Sequence, residues 1–583
     1  MSIERAELHS PLDATAAVPG RVSSATRTAV EVVAVVLLSG IWFFWGTGAG
    51  DFVGTEGLRA VIAKEMLGNE DWLIPTVHQR VYLRKPPLYA WTTAAVARIV
   101  GRLDEQVSRW PSAALSVAYV LMMYLAARWL VDPLAGPAGA VIAAANWFVL
   151  DYGMRADLDA GVLFFLGLAV LLIGRAWVHP GAGRWWLVAL GYLAAVAGSF
   201  WKAPHVLVCV WLTLAALVLM DRRASAPSAW RLVRHPLHLV IAGAALLVVL
   251  AWYALLGQEA GAGRVAGFTA LEFLARLFPR NVGNLLAILN GPLEFLYVAL
   301  PMNLFAGVLL LRSAAADRQA MEPRRWRLVV AWLLANIALL LVVPAKAPRY
   351  WFTCLPPLVI LATLVWRRYV HGQLAPTAQR FTSAITWGVL VALAAGGVSF
   401  IVAGSMLATG TLEIEGLALK PARIALFAGG ALMAATALLG CFALRQDQRT
   451  VAGAMIVLAL VIFKVPHVYA LLPFISSVNS LRPTAQQIAA RVPPSHPIYV
   501  FSEREWSDRS GEVADLGWYT DREIRWPRDE GDFDHHVATG PGYVLVRRNA
   551  RERLLERHPD ATELETYDWP DGPLHLFEVM PPR

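Results

Sequence analysis

The chain alternates long runs of apolar residues with short polar segments. Each residue of an α-helix rises about 1.5 Å, so about 20 apolar residues are needed to cross the hydrocarbon core of a bilayer. About 13 runs approach this length, and they cover 29–47, 111–131, 136–152, 160–178, 184–201, 203–220, 237–257, 294–311, 327–344, 350–366, 382–406, 422–444 and 451–474. The pattern therefore predicts a polytopic α-helical membrane protein with about 13 transmembrane helices.

The apolar run at 87–101 is shorter and ends near Arg98 and Arg102, so we expect an interfacial or re-entrant helix there. If the N-terminus is cytoplasmic, the loops that then fall inside contain clusters of arginine, which is the positive-inside pattern. Counting 87–101 as a full span would put every later cluster outside. The arginines of these loops are Arg222, Arg223, Arg231, Arg234, Arg312, Arg318, Arg324, Arg325, Arg367, Arg368, Arg380, Arg445 and Arg449.

Three regions follow from this pattern. Residues 1–28 are mostly polar and lead into a retained anchor, without the features of a cleavable signal peptide, so we expect a cytoplasmic N-terminal tail. Residues 29–474 form the transmembrane domain, whose first external loop spans 49–110. Residues 55–67 of this loop have the apolar spacing of a helix, so we expect a helix there that lies along the membrane surface. In residues 475–583 the apolar runs shrink to about six residues between charged, Pro- and Gly-containing segments, which is typical of a small α/β domain. An odd number of spans places this domain outside the cytoplasm.

Composition supports a membrane location. Hydrophobic residues make up 57% of the 583 positions and charged residues only 16%, whereas soluble domains have about 25% charged residues. The net charge of +8 arises from the short loops, so no nucleic-acid partner is expected. The cysteines Cys209, Cys354 and Cys441 lie in apolar runs, and none lies in the C-terminal domain.

Four groups of charged residues fall on the external side near the membrane surface, where charge is costly and is often retained for function. Carboxylates from two loops could deprotonate a hydroxyl group, and Lys or Arg could bind a phosphate and stabilise the negative charge of a phosphate leaving group. The pattern indicates glycosyl or phosphoryl transfer at the membrane surface. The groups are Asp51 with Glu56; Asp151 with Arg155, Asp157 and Asp159; Lys202; and Lys346 with Arg349.

Each group also has an ordinary structural interpretation. Asp51 or Glu56 could only end the first span, and the acids at 151–159 could belong to a solvated loop. Lys202 and Lys346 could be anchors that extend towards the headgroups. Their occurrence together on one face favours a site, because chance would distribute them over both faces.

Three ordered motifs of the first external loop resemble a known family. They are Thr55-Glu56-Gly57-Leu58-Arg59-Ala60-Val61-Ile62-Ala63-Lys64-Glu65-Met66-Leu67, Asp71-Trp72-Leu73-Ile74-Pro75, and Tyr82-Leu83-Arg84-Lys85-Pro86-Pro87-Leu88. This order is similar to that of the aminoarabinose transferase and protein O-mannosyltransferase superfamily, bacterial membrane glycosyltransferases of the GT-C fold. Further similar pieces are Arg109-Trp110-Pro111-Ser112-Ala113, Trp201-Lys202-Ala203-Pro204 and Leu355-Pro356-Pro357. The resemblance covers roughly residues 29–370.

The resemblance implies an enzyme that moves a hexose or pentose from a polyprenyl-phosphate carrier to a lipid, glycan or protein acceptor, with inversion, on the external face of the plasma (inner) membrane. The catalytic candidates carried over are Asp51, Glu56 and Asp159, and which of them is the base stays open. The candidates for binding the donor phosphate are Tyr82, Arg84, Lys85, Lys202, Lys346, Arg349 and Tyr350. No metal ligand and no certain cofactor is implied, and a divalent cation between the loop carboxylates stays open.

The sequence departs from the family pattern at two informative positions. Thr55 stands where many members have the first acid of a pair, and Arg84 stands where the aminoarabinose transferases usually have Glu. The reversed charge at Arg84 disfavours the same amino-sugar donor.

Two other functions remain open: a transporter or flippase of lipid-linked sugar, and a catalytically degenerate scaffold. A flippase would favour internally repeated halves and charges along a path through the spans, neither of which the sequence has. The cluster Asp532-Phe533-Asp534-His535-His536 could suggest a metal, but ligands this close in sequence seldom converge on one ion, so we expect a polar loop.

Overall fold

The fold is described from a computed structural model. It covers residues 24–181, 183–222, 228–269, 282–343, 347–412, 418–501, 510–525, 530–538, 540–569 and 572–581. Most of the predicted N-terminal tail, 1–28, lies outside the described residues, as does the candidate Lys346. Residues 24–28 form the first turn of the first helix.

The first half of the chain forms helices joined by short loops, with one small hairpin. The elements are α1 (Ser24–Phe44), α2 (Glu56–Asn69), β1 (Thr76–Val77), β2 (Arg80–Val81), α3 (Leu88–Val100), α4 (Glu105–Leu130), α5 (Gly136–Ala144), α6 (Trp147–Gly153), α7 (Asp159–Val178), α8 (Arg184–Trp201), α9 (His205–Asp221), α10 (Ala229–Val233), α11 (Pro236–Ala260) and α12 (Ala262–Thr269).

The helical part continues to residue 491. Its elements are α13 (Val282–Val298), α14 (Met302–Gly307), α15 (Ala315–Arg318), α16 (Pro323–Val342), a 3₁₀-helix (Pro348–Cys354), α17 (Leu355–Val370), α18 (Pro376–Thr409), α19 (Leu419–Ile424), α20 (Gly430–Arg445), α21 (Arg449–Pro466), α22 (Leu472–Asn479) and α23 (Arg482–Arg491). Two short π-helical segments, Ala425–Gly429 and His467–Leu471, interrupt this region.

In the described part of the chain, nine helices are long and apolar enough to cross a membrane. A tenth is a pair of helices bent by 106°, Gly291–Val298 with Met302–Leu310. The predicted run 136–152 forms two short helices, and the runs at 184–201 and 203–220 form α8 and α9. The protein is therefore an integral membrane protein, and the count of about 13 spans stays a prediction.

The core of the helical domain surrounds α17, α4 and α7. From Leu355 to Val365 every residue of α17 is buried, and Trp332 and Trp351 are fully buried against it. Small residues allow close approach at the periphery: a Cβ on Gly397 would lie 2.6 Å from the Gly430 carbonyl oxygen. Such contacts are typical of membrane helices, which gain stability from tight packing.

The first external loop contains the two helices that its sequence predicts. The short apolar helix α3 spans about 20 Å, less than a bilayer core. The helix predicted at 55–67 forms as α2, but its expected place along the membrane surface is wrong. Residues Glu56–Ala63 are all buried, because the C-terminal domain covers one side of α2 and α3 packs on another.

The C-terminal domain is a five-stranded sheet with helices on its faces, as predicted. Its elements are β3 (Ile498–Phe501), α24 (Ser510–Thr520), β4 (Ile524–Arg525), α25 (Glu530–Val537), β5 (Gly542–Arg547), α26 (Arg548–Arg557), β6 (Thr562–Tyr567) and β7 (Leu574–Val579). The strand order is β4-β3-β5-β7-β6. The pairs β3–β4 and β3–β5 are parallel, and β5–β7 and β6–β7 are antiparallel. Both faces of the central strand β5 are covered, so it has no exposed side.

Candidate active site

Glu56 begins α2 and is buried, with only 2% of its surface exposed. Its carboxylate accepts two bonds from Arg109, Nε to Oε1 at 2.8 Å and Nη2 to Oε2 at 3.1 Å. It also accepts from the backbone N–H of Val53 at 2.9 Å and of Ala156 at 2.7 Å. These four bonds occupy both oxygens and join the first external loop to the second.

Arg109 is the centre of a network around the end of α1. Its guanidinium donates to the carbonyl oxygens of Thr47 at 2.8 Å, Gly50 at 3.1 Å and Asp51 at 2.7 Å, in addition to Glu56. A planar guanidinium with five donors suits this task. The pair of Glu56 and Arg109 therefore fixes the turn after α1.

The carboxylate of Asp51 faces the start of the C-terminal domain. Its Oδ1 lies 2.9 Å from Arg482 Nη1, and its Oδ2 accepts from the Ser480 hydroxyl at 2.7 Å. The same arginine pairs with Glu105 at 2.7 Å. Asp51 thus joins the transmembrane domain to the connection that carries the soluble domain.

The second external loop brings two carboxylates together at the start of α7. Asp159 is the first residue of α7 and is buried, and its Oδ1 pairs with the Lys202 ammonium. Its Oδ2 lies 3.4 Å from Arg349 Nε and has no hydrogen-bond partner. One oxygen of Asp159 therefore remains available to a ligand hydroxyl.

Asp157 lies beside Asp159, although the sequence analysis did not single it out from the acids of this loop. Ser112 donates to its carbonyl oxygen at 2.7 Å, and its own Oδ1 accepts from the Leu158 N–H at 2.6 Å. Burial raises the pKa of Asp157, but the charges of Arg349 and Lys202 and the contact with Asp159 lower it below its ordinary value overall. The sequence signal that could have identified Asp157 is its position two residues before Asp159. Residues 157 and 158 are not helical, and in a non-helical segment side chains at i and i+2 can lie on the same side.

The cations of the site come from two further connections. Lys202 follows the last residue of α8, is 8% exposed, and lies 5.2 Å from the centre of the Tyr350 ring. Arg349 belongs to the 3₁₀-helix before α17 and lies 6.0 Å from the centre of the Tyr152 ring. Aromatic faces hold both cations in place beside the carboxylates. The structure therefore brings together Asp159, Lys202, Arg349 and Tyr350.

A small cavity of about 10 Å³, room for about one water molecule, adjoins this cluster on the side of the first external loop. The Tyr82 hydroxyl accepts from Arg59 Nη1 at 3.2 Å there. Lys85 borders the cavity, and its charge acts on His205 together with that of Lys202. Arg84 precedes Lys85 and is half-buried. The residues that line the cavity include Arg59, Tyr82, Lys85, Tyr89 and Leu158.

Among the described residues, no group of three or more His, Cys, Asp or Glu side chains could hold a metal ion. The prediction of a polar loop at 532–536 is wrong, since these residues lie in helix α25. There the Asp534 carboxylate binds Arg557 Nε at 2.8 Å and His558 Nε2 at 3.0 Å. That carboxylate therefore has structural partners within the C-terminal domain.

Comparison with known proteins gives a consistent result. Residues 84–253 match the family model of dolichyl-phosphate-mannose-protein mannosyltransferases. An undecaprenyl phosphate-α-4-amino-4-deoxy-L-arabinose arabinosyl transferase of Pseudomonas aeruginosa is 29% identical over 322 residues, which is 54% of this chain and 55% of that protein. A second such transferase, from Sodalis glossinidius, is 27% identical over 139 residues, 24% of this chain and 25% of that protein. The chain thus spans about half the length, or less, of these curated relatives.

The fold comparison extends over nearly the whole chain. The crystal structure of ArnT from Cupriavidus metallidurans bound to undecaprenyl phosphate aligns with a TM-score of 0.64 at 19% identity, covering 95% of this chain and 98% of that one. An identity this low supports the fold rather than the activity. The expected GT-C-like architecture is confirmed by this fold, and residues 84–253 are similar in sequence to the protein mannosyltransferase family.

Proposed function

We propose that the chain is a polyprenyl-phosphate-dependent glycosyltransferase that passes a sugar to an acceptor at the external face of the membrane. The observation that carries this proposal is the buried cluster of Asp157 and Asp159 with Lys202 and Arg349. In this cluster, a carboxylate oxygen that accepts no hydrogen bond lies beside two cations. Transfer from a sugar phosphate needs a base for the acceptor and positive charge for the departing phosphate.

The mechanism is a single displacement with inversion. Asp159 Oδ2 accepts the proton of the acceptor hydroxyl while the hydroxyl oxygen attacks the anomeric carbon. The bond between that carbon and the phosphate oxygen breaks, and its electron pair remains on the phosphate. Lys202, Arg349 and Lys85 stabilise the added negative charge, because fixed cations in a buried site act more strongly than in water.

We assign positioning roles to the other two acidic candidates. The oxygens of Glu56 are occupied by Arg109, Val53 and Ala156, and those of Asp51 by Arg482 and Ser480. A base needs an accessible lone pair near the proton that it removes. Glu56 instead sets the position of the second loop, and Asp51 that of the soluble domain.

The donor and acceptor are proposed by class. The donor is a polyprenyl-phosphate-linked hexose or pentose, and Arg84 favours a neutral or anionic sugar over an amino sugar, since like charges repel. The names of the curated relatives support a polyprenyl phosphate carrier. Among lipid, glycan and protein acceptors we favour a lipid, because the site adjoins the membrane.

We propose an inner-membrane location with a cytoplasmic N-terminus and an external C-terminal domain. The arginine-rich loops support this orientation. Tyr82 and Tyr350 lie on the same side of the helical domain as the cluster, as a lipid-phosphate site at the outer surface requires.

The experiment uses the purified full chain in nanodiscs with a panel of labelled polyprenyl-phosphate sugars and candidate acceptors. We expect label to move to an acceptor with wild-type protein and to be lost with Asp159→Asn. Movement of intact carrier across the bilayer without transfer of its sugar would instead identify a flippase. Binding without transfer or movement would identify a scaffold, and either result would overturn the proposal.

A further inference from the structure

Lys464 lies midway along the helix that runs from Arg449 to Asn479, about 22 Å along the axis from Arg449, where it contacts Met154 of the second external loop. The side chain is 2% exposed, although lysine is almost never fully buried without a counter-charge. Its partner is the Met154 sulfur at 2.8 Å, and its ammonium lies 5.4 Å from the centre of the Trp42 ring. In the described part of the chain no carboxylate pairs with it.

His467 lies one turn further on and strengthens this picture. It is fully buried, and neither ring nitrogen has a hydrogen-bond partner. Phe463 stacks on the ring at 5.4 Å and Trp147 approaches it edge-on at 5.7 Å. Buried polar groups almost always have partners, so two orphaned nitrogens beside an unpaired ammonium need an explanation.

A second cation completes the group. Arg155 follows Met154 in the second external loop and acts electrostatically on His467 together with Lys464. Asp151 binds Arg155 at 2.7 Å, and Glu56 and Asp157 act electrostatically on Asp151, whereas in the described part of the chain no carboxylate acts on Lys464 or His467. The local balance is therefore positive, which favours an anion.

The Met154 side chain is a replaceable cover for the ammonium. A thioether is a weak acceptor on a flexible side chain. Its tip also fills the space beside the turn after α1, since a Cβ on Gly46 would lie 3.1 Å from Met154 Cε and 2.8 Å from Val468 Cγ2. His467–Leu471 is a π-helical segment, a local irregularity common at functional sites.

We propose that Lys464, His467 and Arg155 form a second anion site, which binds the phosphate of a membrane lipid. A phosphate oxygen takes the place of the Met154 sulfur beside Lys464 and accepts a hydrogen bond from a His467 ring nitrogen. Charges buried in membrane helices usually bind ligands or ions, and Met154 and Arg155 place this group beside the second external loop. The proposed orientation puts that loop at the outer surface, where lipid phosphates lie.

Two sources share this chemistry: the phosphate monoester of a polyprenyl carrier and the phosphodiester of an anionic phospholipid. The test counts bound lipids by native mass spectrometry of the full chain in phosphatidylcholine nanodiscs, with undecaprenyl phosphate in one arm and phosphatidylglycerol in the other. The carrier arm rests on the proposed function, whereas the phospholipid arm is independent of it.

We expect Lys464→Met to lose one bound lipid, with affinity at least about tenfold weaker, while the protein keeps or gains thermal stability because an unpaired buried charge is removed. His467→Phe, which preserves the ring and breaks no hydrogen bond, should weaken the same binding. Lys420→Met is the matched control, because Lys420 is exposed and its loss changes net charge equally.

The arm that responds identifies the source of the phosphate. A separate variant, Arg349→Gln, should leave this site filled, so failure of the proposed active site is distinguishable from failure of the second site. Unchanged lipid counts in Lys464→Met and His467→Phe would overturn the inference. So would a loss of fold in both variants, which would show a purely structural role.

Discussion

At the scale of single residues, the acids of the external loops differ in what their oxygens already bind. Glu56 has all of its acceptor positions filled by Arg109 and two backbone N–H groups. Asp159 keeps one oxygen without a hydrogen bond. Two carboxylates with similar burial therefore have different roles, and their variants should fail in different ways.

For Asp159→Asn we expect transfer to fall by about 10²–10⁴-fold, the usual contribution of a general base. The melting temperature should fall less than that of Glu56→Gln, because Asp157 remains as a counter-charge for Arg349 and Lys202. Turnover of labelled donor and a thermal melt measure the two effects. Unchanged turnover would remove Asp159 as the base.

For Glu56→Gln we expect a loss of stability of about 3–5 kcal/mol, because Arg109 would be left as a buried charge without a counter-charge. Thermal unfolding in detergent measures this loss. Double replacement of Glu56 and Arg109 by Gln and Met should restore part of it. A fully stable but inactive Glu56→Gln protein would instead support Glu56 as a catalytic group.

Much of this site followed from the sequence, because charges on apolar chains are rare and their side of the membrane can be inferred from loop arginines. Asp159, Lys202 and Arg349 were identified in this way, and the structure places them in contact. Asp157 could not be separated from its neighbours, since only the non-helical backbone at 157–158 turns it towards Asp159. The occupation of the Glu56 oxygens depends on residues 53 positions apart, such as Arg109, and has no local signal.

At the scale of elements, helix α2 is held between the membrane domain and helix α24. Phe52 donates its N–H to the Tyr519 hydroxyl at 2.7 Å and packs edge-on to Trp518 at 5.3 Å. The sequence predicted α2 from its apolar spacing but assigned its apolar face to lipid. Amphipathicity alone does not specify what covers a helix, and here the cover comes from a domain more than 400 residues away.

This packing is tight at one glycine of α2. A Cβ on Gly57 would lie 1.9 Å from Asp515 Oδ1, whereas a Cβ on Gly68 of the same helix has no atom within 4 Å. We expect Gly57→Ala to destabilise the contact by about 1–3 kcal/mol and to reduce transfer. Gly68→Ala should be neutral or stabilising by up to about 1 kcal/mol. Limited proteolysis of the C-terminal domain reports the contact, and equal protection of both variants would contradict it.

The edge of the soluble sheet predicts a pH dependence of its own. Hydrogen bonds from Arg551, Thr566 and His575 outweigh the effect of burial and lower the pKa of Glu563 to about 2. A lowered pKa in the folded state stabilises the fold above the unfolded value of about 4.3, and this stability is lost as pH falls towards 2. Glu563→Gln should lower the free energy of unfolding by about 1 kcal/mol at neutral pH. The circular dichroism signal of the strands should then decrease less between neutral and acidic pH than in the wild type. Circular dichroism of the full chain between pH 5 and 2 measures it, with Glu552→Gln on α26 as control.

At the scale of the whole molecule, the two domains act as one unit around the candidate active site. Arg482 pairs with both Asp51 and Glu105, and its guanidinium lies 4.7 Å from the centre of the Tyr519 ring. These contacts join the end of the last membrane helix, the first external loop and the soluble domain. The contacts of Arg482 hold the soluble domain against the first external loop. If the soluble domain is external, this loop and the active-site residues that it carries are therefore external too.

Orientation in the membrane can therefore be tested at two exposed positions. The native cysteines Cys209, Cys354 and Cys441 are buried, so a new cysteine on the surface should dominate labelling. We expect Ser495→Cys in the soluble domain to react with a membrane-impermeant maleimide in cells whose inner membrane is intact. Gln446→Cys, beside the arginines at 445 and 449, should react only after that membrane is permeabilised, because arginine-rich loops remain in the cytoplasm. The reverse pattern would put the soluble domain, and the active-site cluster with it, on the cytoplasmic side, opposite to the face at which the proposed transfer takes place. Labelling of both positions on the same side would show that the count of spans between them is wrong.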